Sequence, residues 1–100
     1  MTVKLVMTWD ILPGQEQEYF EFVVRDFIPG VQKLGLQPSQ AWFTLYGEQP
    51  QILAEMLTPD LGSAQQVLDS QDWADLKLQL LEYVDDFSLK IINARRGFQI

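Results

Sequence analysis

Three stretches of the chain alternate with a period of two, and in each one parity is almost purely apolar while the other is mixed instead of polar. The apolar sets are Val3, Leu5, Met7 and Trp9; Ala41, Phe43 and Leu45; and Ile52, Ala54 and Met56. A period of two sends alternate side chains to opposite faces of a strand, so these are three strands with one face committed to a core. The opposite parity holds Val6, Thr8, Trp42, Thr44, Tyr46, Leu53, Glu55 and Leu57. A sheet face bathed in water alternates to polar residues and does not carry this much apolar surface, so both faces of this sheet require cover.

Between the strands the period changes. Leu12-Pro13-Gly14 is turn chemistry, and over residues 15–28 the side chains Phe20, Val23, Val24 and Phe27, followed by Val31, recur at helical spacing. Glu16 and Glu18 sit near the positive end of this helix, and Glu21 precedes Arg25 by one turn. Both arrangements favour the helix by a few tenths of a kcal/mol. Pro29 has no N–H to donate and disfavours helix at Ile28, so the helix is expected to end or kink there, with Gly35 closing the excursion. Gly47-Glu48-Gln49-Pro50 joins the two middle strands as a hairpin. Thr58-Pro59-Asp60 reads as the cap and first-turn proline of a short helix over residues 61–68. Ser70 caps a longer helix whose stripe is Trp73, Leu76, Leu80, Val84 and Phe87. In that reading Asp85 and Asp86 fall at its negative end, where acids cost a little stability. A last strand runs over residues 89–94, and either Ile91 or Ile92 joins the mixed face.

The order strand, helix, strand, strand, helix, strand folds most simply as one ferredoxin-like α+β domain over residues 1–100. Four antiparallel strands take the spatial order 4-1-3-2, with both helices on one face. That commits the helices to the apolar parity and leaves the mixed face for a second copy. A homodimer is expected, two sheets meeting face to face around a partly polar lumen.

Composition narrows the chemistry. Fourteen acids against seven bases give a net charge of −7, which opposes phosphate backbones and anionic lipid, so neither nucleic acid nor a membrane is an expected partner. The basic pair Arg95-Arg96 has no aromatic interleaving of the kind that stacks bases. The opening residues alternate in polarity and lack the features of a secretory signal, so a cytoplasmic location is expected. Zero Cys removes disulfides, thiolate nucleophiles and thiolate-held metals; zero His removes imidazole bases, zinc motifs and a proximal haem ligand. No metal and no cofactor are expected, and any chemistry falls to carboxylates, amides, hydroxyls, Lys, Arg or Trp.

The passage Trp9-Asp10-Ile11-Leu12-Pro13-Gly14, the opening Glu18-Tyr19-Phe20-Glu21-Phe22 and the run Ser70-Gln71-Asp72-Trp73-Ala74-Asp75-Leu76 resemble the dimeric α/β-barrel proteins that include the antibiotic-biosynthesis monooxygenase-like and NIPSNAP-like groups. The likeness is topological and spans the chain. It implies the paired barrel but transfers no reaction, since members range from cofactor-independent oxygenases to haem-degrading enzymes and proteins without assigned activity. The haem-degrading branch needs a histidine that this chain lacks. The quinone-forming branch uses Asn, Trp, Tyr and Arg around an aromatic substrate, residue types present here as Trp42, Tyr46, Asn93 and Arg95.

Each candidate constellation has a plainer reading beside it. Trp42, Thr44 and Tyr46 share a parity and would wall a pocket for a flat, moderately polar molecule, or simply pack a dimer core. Glu55, set among Leu53, Ala54, Met56 and Leu57, is the candidate general base for an acidic phenol or enol. Its plainer role is a cross-strand ion pair with Lys4, Lys90 or Arg95. Asn93 and Arg95 share a parity and would grip a carboxylate or carbonyl at the lumen mouth, or pair with acids of the other copy. Asp10 lies where β-strand ends often carry binding groups, or caps the Pro13-Gly14 turn. Glu16/Glu18 and Asp85/Asp86 are solvated acids and not converging metal ligands. Two functions remain in view. One is a small aromatic or carbonyl molecule bound in the lumen, up to cofactor-independent monooxygenase-like chemistry. The other is a non-catalytic dimeric interaction or structural module.

Overall fold

The computed structural model describes residues 2–43 and 52–93. Strands β1 (Val3–Ile11), β2 (Gln37–Phe43), β3 (Ile52–Thr58) and β4 (Val84–Asn93) form one antiparallel sheet in the order β2-β3-β1-β4. That is the expected 4-1-3-2 arrangement. Register makes the apolar parities coincide: Leu5 stands opposite Met56 and Ile91, Met7 opposite Ala54 and Leu89, and Trp9 opposite Ile52. Val3, Leu5, Met7, Trp9, Ile52, Ala54 and Met56 are all buried in one core cluster. The chain is a ferredoxin-like α+β fold, and the hairpin loop at 47–50 lies outside the described residues.

Pro13 and Gly14 occupy the centre of a turn closed by Gln15 N–H donating to Leu12 C=O at 3.0 Å, with Gly14 at φ 85°, the pattern of a type II turn. The helix that follows does not end before Pro29. Helix α1 (Glu16–Phe22) runs through a π-helical stretch, Val23–Phe27, into α2 (Ile28–Lys33). Proline cannot donate to the carbonyl four residues back and its ring crowds that carbonyl; a widened turn placed directly before it absorbs both faults. The same extra residue changes which side chains face inward. Tyr19, Phe22, Phe27 and Val31 are buried, with a five-residue step between Phe22 and Phe27, while Phe20 and Val24 of the expected stripe are 43% and 69% exposed. Beyond α2, Leu36 N–H donates to Val31 C=O and Gly35 N–H to Gln32 C=O, both at 3.0 Å, with Gly35 at φ 93°. This is a Schellman ending, and the buried Leu36 and Val31 complete it.

Helix α3 (Leu61–Leu68) forms as expected, but its cap is Asp60, whose Oδ1 accepts from Ser63 N–H at 2.7 Å. Thr58 belongs to β3. Ser70 caps α4 (Gln71–Leu80), its hydroxyl accepting from Trp73 N–H at 3.1 Å. Here the expected stripe runs too far. The helix stops at Leu80, and Val84 and Phe87 are strand residues of β4. Tyr83 N–H turns back to Leu80 C=O, and Tyr83 C=O takes Leu12 N–H, which starts β4 alongside Ile11. Helical spacing and burial agreed there, and no glycine or proline marks the stop.

Trp9 is the core's polar clamp. Phe27 meets it edge-on at 5.9 Å and 84°, Phe87 stacks on it at 5.9 Å and 7°, and its indole Nε1–H donates to the Tyr19 hydroxyl at 2.9 Å. Phe87 reaches Trp9 through a bulge: between the pairs Thr8/Ser88 and Asp10/Asp85, Trp9 alone opposes Asp86 and Phe87. Asp86 takes up the kink at φ 59°.

Two predictions follow from this core. Asp86→Gly relieves the left-handed backbone and one of two adjacent acids, and should raise stability by about 0.5–1 kcal/mol, whereas Asp86→Val should lower it by more than about 1 kcal/mol. Urea denaturation reads both. Tyr19→Phe strands a buried indole donor and should cost about 1–3 kcal/mol at neutral pH. Burial pushes the Tyr19 phenol up to about 12, with the Trp9 hydrogen bond working weakly against it. A folded-state value above the ordinary 10.0 means stability is intact below that pH and is lost as pH rises towards 12. Denaturation midpoints across that window should therefore fall more steeply for the native chain than for Tyr19→Phe.

Candidate functional site

The face of the sheet turned away from the helices is built in three rows across β1. Lys4 lies between Leu57 and Ile92, Val6 between Glu55 and Lys90, and Thr8 between Leu53 and Ser88. Strand β2 extends the rows, with Gln37 opposite Leu57, Gln40 opposite Glu55 and Trp42 opposite Leu53. The parity of the last strand is thereby fixed: Ile92 joins this face and Ile91 the other. Leu53 and Ile92 are 37% and 44% exposed, and Val6 and Leu57 are half-buried.

Polar groups occupy the middle. Lys4 Nζ lies 3.5 Å from Glu55 Oε1, across a diagonal of the β1–β3 ladder, with the two side chains 33% and 25% exposed. Ser39 comes to the same carboxylate because β2 is irregular between Pro38 and Gln40. Its hydroxyl is 3.4 Å from Glu55 Oε1 and 3.4 Å from the Glu55 carbonyl. Oε1 is thus taken, and among the described residues nothing bonds Oε2, which leaves one acceptor of the carboxylate available. Such an arrangement can orient a ligand hydroxyl or amide.

Of the residues singled out from sequence, Glu55 is at the centre of this face and Trp42 falls in its register. Asn93 does not join them. It stands opposite Val3, on the parity of the buried core face. Thr44, Tyr46 and Arg95 lie outside the described residues. Asp10 is 8% exposed and opposite Asp85, beyond the bulge. Ser39 escaped sequence reading because nothing in Gln37-Pro38-Ser39-Gln40 says where the ladder slips. No three or more acids, Cys or His converge as metal ligands among the described residues. On the helix side, Gly30, Lys33, Leu34, Asp72 and Leu76 line a cleft of about 170 Å³ between α2 and α4. None of the sequence candidates lies there. No helix among the described residues is long and apolar enough to cross a membrane.

Neither a family model nor a curated protein matches the chain. Solved structures do match in fold. A NIPSNAP family protein from Agrobacterium tumefaciens superposes with a TM-score of 0.74 at 15% identity, covering 97% of this chain and 96% of that one. An ethyl tert-butyl ether d (ethd) family protein from Bacillus halodurans gives 0.72 at 19% identity, covering 95% and 100%. A dimeric protein of unknown function and ferredoxin-like fold from Bacteroides fragilis gives 0.65 at 12% identity, covering 92% and 95%. At these identities the likeness is one of architecture: the chain has the ferredoxin-like fold that NIPSNAP proteins share.

Proposed function

We propose that two copies of the chain meet through their open sheet faces, closing an α/β barrel whose lumen holds a small molecule with an aromatic or otherwise apolar body and a carbonyl or hydroxyl group. One observation carries this reading: Leu53 and Ile92 stay more than a third exposed, beside Val6 and Leu57, on a face that no described element covers. Fully burying an exposed aliphatic side chain of this size contributes about 1.5–3 kcal/mol; less than half of each of these four is still exposed, so each adds under half of that on pairing. The Bacteroides fragilis neighbour, of the same fold, is a dimeric protein, which supports pairing as an option of this architecture. Glu55, Trp42 and, by the parity of their positions, Thr44 and Tyr46 would line the lumen, with Arg95 at its mouth and Asn93, on the opposite parity, outside it.

A second reading, the non-catalytic interaction module, has its own support. Oε1 of Glu55 is held by Lys4 and Ser39, as in a structural pair, and the chain has no His or Cys. The monooxygenase-like reading draws no support from Asn93, which stands on the opposite parity from Glu55.

Sedimentation velocity at micromolar concentration should give a dimer for the native chain and a folded monomer for Leu53→Glu, which sets a charge in the contact. A native monomer with a folded spectrum contradicts the proposal. Glu55→Gln should weaken the dimer at least tenfold, because it leaves Lys4 unpaired in an enclosed face. Titration with a quinone and with a flavin should change tryptophan fluorescence in the dimer and not in Leu53→Glu. Silence from both in a stable dimer favours the non-catalytic module.

A further inference from the structure

The central rows of the open face carry three charged side chains, Lys4, Glu55 and Lys90, in a chain whose net charge is −7. Lys4 and Glu55 neutralise each other at 3.5 Å. Lys90 stands across β1 from them, opposite Val6, and no described residue pairs with it. Its Cα lies about 10 Å from that of Glu55, two strand spacings away. The acids Asp10 and Asp85 oppose each other beyond the bulge, roughly 13 Å along β1 from Val6. Among the described residues, the middle of the face is therefore a patch of one net positive charge on a strongly acidic protein.

We infer that the molecule enclosed by the paired faces is an organic anion, a carboxylate or phenolate on an apolar body, recognised by the ammonium group of Lys90. The inference rests on the face-to-face pairing proposed above. In one copy alone Lys90 is exposed and solvated. Pairing about a two-fold axis brings both Lys90 side chains to one chamber, where an unmatched ammonium is costly to enclose and an anion removes that cost. Elsewhere the protein's negative field repels such a ligand, so the charge on this face supplies selectivity as well as affinity. The free Oε2 of Glu55 accepts from a donor on the ligand and disfavours a polyanion. Binding and pairing are then linked: the anion tightens the dimer.

The test uses the full chain, with 2-naphthoate and 2-naphthamide as probes that match in shape and differ in charge. Calorimetry should show naphthoate binding at least tenfold more tightly than the amide, and Lys90→Gln should abolish the difference. Without any ligand, Lys90→Gln should lower the dimer dissociation constant at least tenfold, since it removes the unmatched charge without adding apolar surface. Equal binding of the probes, or binding of neither by a dimeric chain, overturns the inference. So does a Lys90→Gln dimer that is unchanged or weaker, which would mean that Lys90 snorkels outward as an edge-strand guard or is paired across the interface. Each of these results leaves the pairing itself standing. A native chain and a Lys90→Gln variant that both sediment as monomers remove the pairing, and the enclosed anion with it.

Discussion

The strand β1 binds the two halves of this molecule to each other. Its odd positions, Val3, Leu5, Met7 and Trp9, are fixed in the helix-covered core, and Trp9 is clamped there by Phe27, Phe87 and the Tyr19 hydroxyl. Because the side-chain period of a strand is two, that clamp also decides where Lys4, Val6 and Thr8 point. A slip of one residue would bury Lys4 and expose Leu5. The open face is therefore presented by a strand whose other side is fixed in the core.

The polar groups of that face differ in how they are set. Lys4 and Glu55 are held by register and by a β2 irregularity that brings Ser39 alongside. Lys90 sits on β4, an edge strand; register sets it opposite Val6, and no described residue pairs with its ammonium group. In the proposed pairing, the distinction between a neutralised pair and a lone cation is what would give a greasy sheet face a preferred ligand charge. Surface pairs of this kind contribute little while exposed, and the proposed pairing would be what makes this one matter.

Much of this was legible from the residues because the strands obey a simple period. Val3 to Trp9 and Ile52 to Met56 announce both their conformation and their buried side, and Ser70 announces a helix cap that forms where expected. Features set by backbone irregularity were not legible. Pro29 argued for a helix end or a kink; the irregularity takes the form of a π-helical stretch that carries the chain past it and buries Phe22 and Phe27 five residues apart. Val84 and Phe87 continue the spacing of Leu80 so well that they read as helix, although they are strand. The face of Ile91 and Ile92, and with it the separation of Asn93 from Glu55, depends on a bulge at Asp86 and Phe87 that no residue pattern specifies. Lys90 was visible only as one of three possible partners for Glu55; its place opposite Val6 required the register.

What lies against the open face in solution decides whether two sheets pair. Isotope-filtered nuclear Overhauser spectra of a dimer mixed from labelled and unlabelled chains address that contact directly. Cross-copy contacts should appear at the methyl groups of Val6, Leu53, Leu57 and Ile92. Cross-copy contacts confined to helix-side residues such as Val24 and Leu78, or none at all at millimolar concentration, would contradict the paired sheet.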